Sequence, residues 1–151
     1  MPRRAAPVRR VTTALLRSPL RGLLDRSVLL LTVTGRRSGR TVTLPVQYAV
    51  ADGVVWVLPG HPERKTWWRN LEQPAPVDLE LRGRHVPGKG EALHGERDAG
   101  AVREGLSAYL RRFPALARRW RVGAAGPDAA LVARTVIVRV VPDGPLPSEV
   151  G

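Results

Sequence analysis

Residues 34–40 form a segment with the composition of an anion-binding turn, and we call it the arginine loop. Its sequence, Thr-Gly-Arg-Arg-Ser-Gly-Arg, places three guanidinium groups, a serine hydroxyl and free amides close together. Glycine permits a tight backbone, and the planar guanidinium fork matches phosphate and carboxylate. Because neighbouring like charges repel, such a loop is more stable with a bound anion than without one. The alternative is a basic hairpin turn that is solvated by water.

Residues 64–71 contain two adjacent tryptophans in a chain that is otherwise poor in aromatic side chains. The sequence has four Trp, two Tyr and one Phe, and Trp67 and Trp68 lie side by side. Consecutive side chains of a helix point about 100° apart. One ring can therefore enter the core while the other forms the wall of a cleft for a flat ligand. The alternative is that both rings fill core volume.

Several enzymatic chemistries are excluded by the residues that the chain lacks. There is no cysteine, and the three histidines, His61, His85 and His94, are too scattered for a helical metal pair, so no metal site is expected. No paired carboxylates, nucleophile elbow, P-loop or Gly-x-Gly-x-x-Gly segment is recognised. If the protein is an enzyme, a bound cofactor has to supply the reactive atom, and no side chain stands out as catalytic.

The charge of the chain favours anionic partners. The formal net charge is +12, from 25 basic and 13 acidic residues, and residues 1–40 hold ten Arg and a single acid. Nucleic acid, anionic lipid and an anionic small molecule all remain open on charge alone.

The segments that must position these residues have the pattern of antiparallel strands. Strands are expected at 28–34, 40–50, 54–58, 77–82, 85–94 and 135–141, with turns at Asp52-Gly53 and Gly83-Arg84. Pro45 cannot donate to a strand ladder, so the second strand should be bulged there or lie at a sheet edge. Helices are expected at 8–24, 62–71, 98–112 and 115–121.

About six strands with short links and no βαβ alternation predict an α+β fold. We expect a small antiparallel barrel with an N-terminal amphipathic helix, a short helix that carries the tryptophan pair, and late helices before the last strand. The predicted regions are a basic helical arm (1–27), the barrel (28–141) and a flexible tail (142–151).

Three segments together resemble the deazaflavin-dependent nitroreductase and quinone reductase family. They are residues 29–40, Leu-Leu-Leu-Thr-Val-Thr-Gly-Arg-Arg-Ser-Gly-Arg, then Pro45 with Tyr48, then residues 67–71, Trp-Trp-Arg-Asn-Leu. The similarity spans about residues 28–95. It implies a split β-barrel and hydride transfer from the reduced 8-hydroxy-5-deazaflavin coenzyme, coenzyme F(420), to a quinone, nitroaromatic or similar electron-poor acceptor. FMN is the less favoured cofactor.

The resemblance also implies a binding site for the coenzyme, whose phosphate and oligoglutamate tail are polyanionic. The arginine loop would hold the phosphate, the following strand would lie along the deazaflavin, and the end of the next strand with the tryptophan pair would complete the pocket. The residues expected to bind the cofactor are Arg36, Arg37, Ser38, Gly39, Thr43, Leu44, Pro45, Gln47, Leu58, Pro59, Gly60, Trp67 and Trp68. The proton needed for reduction would come from solvent or from Tyr48.

Two segments depart from the family pattern. Residues 59–62, Pro-Gly-His-Pro, replace a longer loop with a Ser-Lys-Gly-Gly-like stretch. Leu116 and Arg119 stand in the region where the best-known members carry tyrosines, after the pair Phe113-Pro114. The acceptor range and the proton supply therefore do not carry over from the family.

Two other functions remain as alternatives, a non-catalytic cofactor- or lipid-binding split barrel and a basic barrel that binds nucleic acid. The second is disfavoured because base stacking requires aromatics spread along strands, so no nucleic acid is expected. The longest apolar run, residues 28–33, is too short for a membrane span, and no signal peptide is recognised. We expect a cytoplasmic protein, with peripheral contact between residues 1–24 and an anionic membrane left open. A homodimer is also left open.

Overall fold

The computed structural model describes residues 27–147 of the chain. In chain order the elements are β1 (Val28–Thr34), β2 (Thr41–Gln47), β3 (Ala49–Ala51), β4 (Val54–Val57), a 3-10 helix (Trp67–Leu71), β5 (Ala75–Leu81), β6 (Arg84–His94), α1 (Ala99–Arg112), α2 (Pro114–Arg119), α3 (Ala129–Ala133) and β7 (Val136–Pro142). The predicted helix at 8–24 and residues 148–151 of the predicted tail lie outside the described residues.

The strands form one curled antiparallel sheet. Its order is β2-β1-β5-β6-β7-β4-β3, and every neighbouring pair is antiparallel. Strands β2 and β3 lie at opposite edges of this sheet, although a single residue, Tyr48, separates them in the chain. The sheet must therefore curl until its two edges approach each other at Tyr48. The predicted α+β split barrel is confirmed.

The prediction of one continuous strand at 40–50 was wrong, because β2 ends at Gln47 and β3 begins at Ala49. The chain breaks at Tyr48, whose amide donates to the Ser27 carbonyl oxygen at 3.1 Å, because it crosses there from one sheet edge to the other. Pro45 pairs with Leu30 on β1, and β2 is an edge strand, so the edge position predicted from Pro45 is confirmed.

Two tight turns set the register of the hairpins. Asp52 and Gly53 have φ values of 53° and 77°, and Arg82 and Gly83 have values of 51° and 74°. Two consecutive left-handed residues with glycine second are typical of the two-residue turn that matches the twist of paired strands. The second turn lies one residue earlier than predicted, because Arg84 already belongs to β6.

The helices differ from the prediction at their ends. The helix predicted over 62–71 is only the 3-10 helix at its end, because His61 is left-handed (φ 57°) and its carbonyl accepts the amides of Arg64 and Lys65 in a separate turn. The predictions at 98–112 and 115–121 correspond to α1 and α2. The short α3 was missed; the Asp128 carboxylate caps it by accepting the Leu131 amide at 2.8 Å.

Alternate residues of β4 face two different cores. Val55 and Val57 lie in a core with Leu31, Leu79 and Trp68, whereas Trp56 lies with residues of α1 and β7 on the opposite face. Helix α1 approaches the sheet at Gly105, where an added Cβ would lie 2.2 Å from Trp56 Cε3. Within residues 27–147, no helix has both the length and the apolar composition to cross a membrane.

Candidate functional site

A cavity of about 650 Å³ lies between the edge strand β2 and the segment that follows β4. This volume falls in the range of small-molecule sites. Seven of the residues predicted to bind the cofactor line it: Leu44, Pro45, Gln47, Leu58, Pro59, Gly60 and Trp67. The other lining residues are Val46, Val57, His61, Pro62, Glu63, Lys65, Tyr109, Leu116, Arg119 and Trp120.

The two adjacent tryptophans diverge. Trp67 is half-buried and lines the cavity. Trp68 is 5% exposed, packs in the core inside the barrel, and donates from Nε1 to the Pro62 carbonyl oxygen at 3.0 Å. The structure thus places Trp67 at the cavity and Trp68 behind it. Trp68 helps to fix the segment that forms the cavity wall.

The arginine loop is closed by its own backbone. The Gly35 amide donates to the Arg40 carbonyl at 2.7 Å, and the Gly39 amide donates to the Gly35 carbonyl at 2.9 Å. The Arg40 amide donates to Ser38 Oγ at 3.1 Å. The side chains of Arg37, Ser38 and Arg40 are exposed, so their donors face solvent around a compact turn.

Hydrogen bonds connect the arginine loop to the 3-10 helix, and we call them the loop–helix latch. The Arg36 amide donates to Asn70 Oδ1 at 3.0 Å, and Arg36 Nη1 donates to the Arg69 carbonyl at 2.7 Å. Asn70 Nδ2 in turn donates to the Trp67 carbonyl at 3.1 Å. The latch fixes the cavity-lining Trp67 relative to the loop and uses part of the donor capacity of Arg36. Arg37 has no hydrogen bond or ion pair within residues 27–147.

The arginine loop and the cavity follow one another along β2. The strand begins at Thr41, directly after the loop, and the cavity wall begins at Leu44. At a rise of about 3.3 Å per residue, these points are roughly 10 Å apart. Thr43, which lies between them, is outside the cavity wall, and its Oγ1 is 2.7 Å from Thr32 Oγ1. The arrangement is an elongated site, basic at one end and largely apolar at the other.

Sequence reasoning missed Tyr109. This residue lines the cavity and is 4% exposed, and burial raises its pKa to about 12. Tyr48, the tyrosine considered as a proton source, is instead 3% exposed in the core and does not line the cavity. Tyr109 lies in the helix predicted at 98–112, and helical periodicity does not indicate whether a buried face meets core or cavity. At neutral pH Tyr109 keeps its proton, so its Oη can donate a hydrogen bond.

The raised pKa of Tyr109 predicts a loss of stability at alkaline pH. Above pH 10 an unfolded tyrosine loses its proton while the folded one keeps it, so the free energy of unfolding should fall by up to about 1.4 kcal/mol per pH unit until about pH 12. Urea unfolding of the wild type and of Tyr109→Phe at pH 9 and at pH 11.5 measures this difference. An equal pH dependence in the two proteins would contradict it.

A family model and several solved structures match this chain. The family model, described as F420H(2)-dependent quinone reductase, matches residues 7–109. A search of curated proteins found no match.

The solved structures are distant in sequence. One is named F420-H2 dependent reductase (FDR-A), with 18% identity, 77% of this chain and 95% of that chain covered, and a TM-score of 0.55. A second is described as a domain-swapped dimer (21% identity, coverage 88% and 96%, TM-score 0.56). A third, from Bacteroides thetaiotaomicron, has a name that refers to 5-nitroimidazole antibiotic resistance (12% identity, coverage 85% and 81%, TM-score 0.56). At these identities the structures establish the fold.

Proposed function

Because this chain belongs to the F420H(2)-dependent quinone reductase family, we propose that its coenzyme lies across the arginine loop and the cavity beside β2. The protein is a deazaflavin-dependent reductase that uses coenzyme F(420). We place the anionic tail of the coenzyme at the loop, its ring against Leu44–Gln47 and Trp67, and the acceptor at the side of the cavity formed by Tyr109 and α2.

One observation carries this placement: the basic loop and the apolar cavity lie in sequence along one strand and are joined by the loop–helix latch. The guanidinium groups of Arg37 and Arg40 and the hydroxyl of Ser38 are exposed donors of the kind that phosphate and carboxylate require. Pro45 and the half-buried Trp67 offer apolar surfaces to a flat ring. The residues present therefore fit a coenzyme with one flat end and one polyanionic end.

The protein contributes position, exclusion of water and a hydrogen bond. The bound coenzyme supplies the hydride. Trp67 and Leu44–Gln47 would hold the ring of the coenzyme, and the segment Leu58–Pro62 would shield one side of the cavity from solvent. Tyr109 Oη donates a hydrogen bond to the quinone oxygen on which negative charge develops. Because its pKa is about 12, Tyr109 keeps this proton, and the proton that completes the hydroquinone comes from solvent.

Asn70→Ala is expected to uncouple the two ends of the coenzyme site. The variant loses the bonds to the Arg36 amide and the Trp67 carbonyl, so the loop and the ring wall are no longer held together. Binding of the full coenzyme should weaken by about 1 to 2 kcal/mol, while the deazaflavin without its phosphate and glutamate tail should be affected less. Fluorescence titration with both ligands measures this.

The matched control is Asn70→Asp, which keeps an oxygen that accepts from the Arg36 amide but loses the donor to Trp67. Its affinity for the deazaflavin without the anionic tail should lie between those of the wild type and Asn70→Ala, whereas the added carboxylate repels the tail of the full coenzyme. An unchanged ratio of the two ligand affinities in Asn70→Ala would show that the latch does not couple the ends.

The experiment that tests the reaction mixes the protein with reduced coenzyme and a naphthoquinone and follows the absorbance of the oxidised coenzyme. We expect oxidation that depends on protein and on quinone. Trp67→Ala should slow it, whereas Arg82→Ala, in the β5–β6 turn and outside the cavity wall, should not. Coenzyme that binds but is not oxidised by quinones or nitroaromatics would contradict the proposal.

A homodimer stays a prediction. The edge strands β2 and β3 carry the exposed side chains Val42 (46%) and Val50 (38%), which a second copy could cover. Sedimentation analysis of the full chain tests this.

A further inference from the structure

The net positive charge of the described residues is concentrated in one segment. Residues 105–127 contain five Arg and no acid, whereas the other described residues hold 13 basic and 11 acidic side chains. The five are all exposed: Arg111, Arg112, Arg118, Arg119 and Arg121. We call these residues with Trp120 the arginine–tryptophan face. These arginines lie in the last turns of α1 and α2 and directly after α2, and they account for most of the net positive charge within residues 27–147.

Trp120 lies at the end of α2, directly before an arginine in the left-handed conformation. Its side chain is 39% exposed, and it is flanked by Arg119 and Arg121. The Val122 amide donates to the Ala117 carbonyl at 2.9 Å, and Arg121 has a φ of 58°. Glycine is the usual residue at such a left-handed helix end, since a Cβ makes the conformation unfavourable. The chain thus places an arginine beside an exposed tryptophan at a local cost in stability.

The arginine–tryptophan face adjoins the mouth of the cavity, because Arg119 and Trp120 belong to its wall. We propose that this face docks on an anionic lipid surface, so that the cavity opens toward the bilayer. Basic side chains are attracted to anionic headgroups, and tryptophan favours the interface between headgroups and hydrocarbon. The acceptors of this protein include quinones, which are apolar and dissolve in lipid. Only the orientation of the cavity, and not the lipid contact, rests on the proposed acceptor site.

A lipid surface fits this face better than a nucleic acid does. Single-stranded nucleic acid is bound by several rings on which successive bases stack, and Trp120 is the only tryptophan exposed to this extent in the described part of the chain. One ring among five guanidinium groups is instead the pattern of an interfacial contact.

The test compares two pairs of substitutions that remove the same charge. Arg118→Gln with Arg121→Gln alters the face at positions that neither line the cavity nor make side-chain hydrogen bonds or ion pairs within residues 27–147. Arg82→Gln with Arg84→Gln is the control at the β5–β6 turn. Partitioning of the full chain onto vesicles of equal phosphatidylglycerol and phosphatidylcholine is measured by co-sedimentation at low salt.

We expect the first pair to weaken partitioning about thirtyfold, since each basic residue near an anionic surface contributes about fivefold. The control pair should change it less than about threefold. Equal losses in both pairs, no loss in the first pair, or no sedimentation of the wild type would overturn the proposal. So would a loss of binding to a mixed-sequence oligonucleotide with vesicle binding intact.

A separate measurement, turnover without vesicles, distinguishes failure of the lipid contact from failure of the proposed reductase reaction. Turnover with a water-soluble quinone in the absence of vesicles should be unchanged in both pairs, which also shows that the variants are folded. If the wild type sediments with vesicles but oxidises no coenzyme, the lipid contact stands and the proposed reaction fails. If turnover is normal but vesicles are not bound, the lipid contact alone fails.

Discussion

Replacing Arg36 and Arg37 together by alanine should weaken binding of the reduced coenzyme by about 2 to 4 kcal/mol, because each charge-assisted hydrogen bond contributes about 1.5 to 3 kcal/mol. The single variants should separate two roles. Arg37 makes no bond within residues 27–147, so Arg37→Ala should lower affinity and leave the melting temperature unchanged. Arg36 Nη1 bonds to the Arg69 carbonyl, so Arg36→Ala should lower both. Calorimetric titration and thermal unfolding measure these quantities.

This prediction has two controls, a ligand that lacks the anionic tail and a variant that lacks a different arginine. The deazaflavin without its anionic tail should bind Arg37→Ala almost as well as it binds the wild type. Arg84→Ala, an exposed arginine on the β5–β6 hairpin, should bind the full coenzyme normally. A loss of melting temperature in Arg37→Ala that accounts for its loss of affinity would mean that the arginine loop is structural.

Gly105→Ala should destabilise the protein by about 1 to 3 kcal/mol, although alanine favours helix formation. The added Cβ would lie 2.2 Å from Cε3 and 2.5 Å from Cζ3 of Trp56, which is 2% exposed and belongs to the buried core. Helix α1 must then shift away from the sheet. Tyr109 lies one turn further along α1, so it should move with respect to the cavity, and KM for the quinone should rise.

Gly100→Ala is the matched control in the same helix, because a Cβ there meets nothing within 4 Å. Its free energy of unfolding should be unchanged or raised by up to about 1 kcal/mol. Denaturant unfolding of both variants decides the matter. Equal stabilities would contradict close packing of α1 on Trp56.

The elements that follow local rules could be predicted from the sequence. Strand β1 has the predicted bounds, and Pro45 correctly indicated a sheet edge. The break at Tyr48 could not be predicted, because both sides of it have the pattern of one continuous strand and the change of sheet edge depends on how the whole sheet curls. The short α3 carries a capping aspartate, Asp128, but only five helical residues follow it.

In the candidate site too, some features could be predicted from local sequence rules and others depend on how distant segments pack. The divergence of the two tryptophans follows from helix geometry, but which ring faces the cavity depends on the packing of the 3-10 helix. Arg36 and Asn70 are 34 residues apart in the chain, so their bond is invisible to local patterns. Tyr109 occupies an apolar helix face, and sequence periodicity does not separate core from cavity wall.

Calorimetric titration of the full chain with reduced coenzyme, near neutral pH and at low salt, tests the central claim most directly. The polyanionic tail should meet the arginine loop and the ring should meet the cavity beside Trp67, so we predict micromolar or tighter binding. FMN, with one phosphate and no glutamate tail, should bind more weakly. Absence of coenzyme binding, or a clear preference for FMN, would contradict the account.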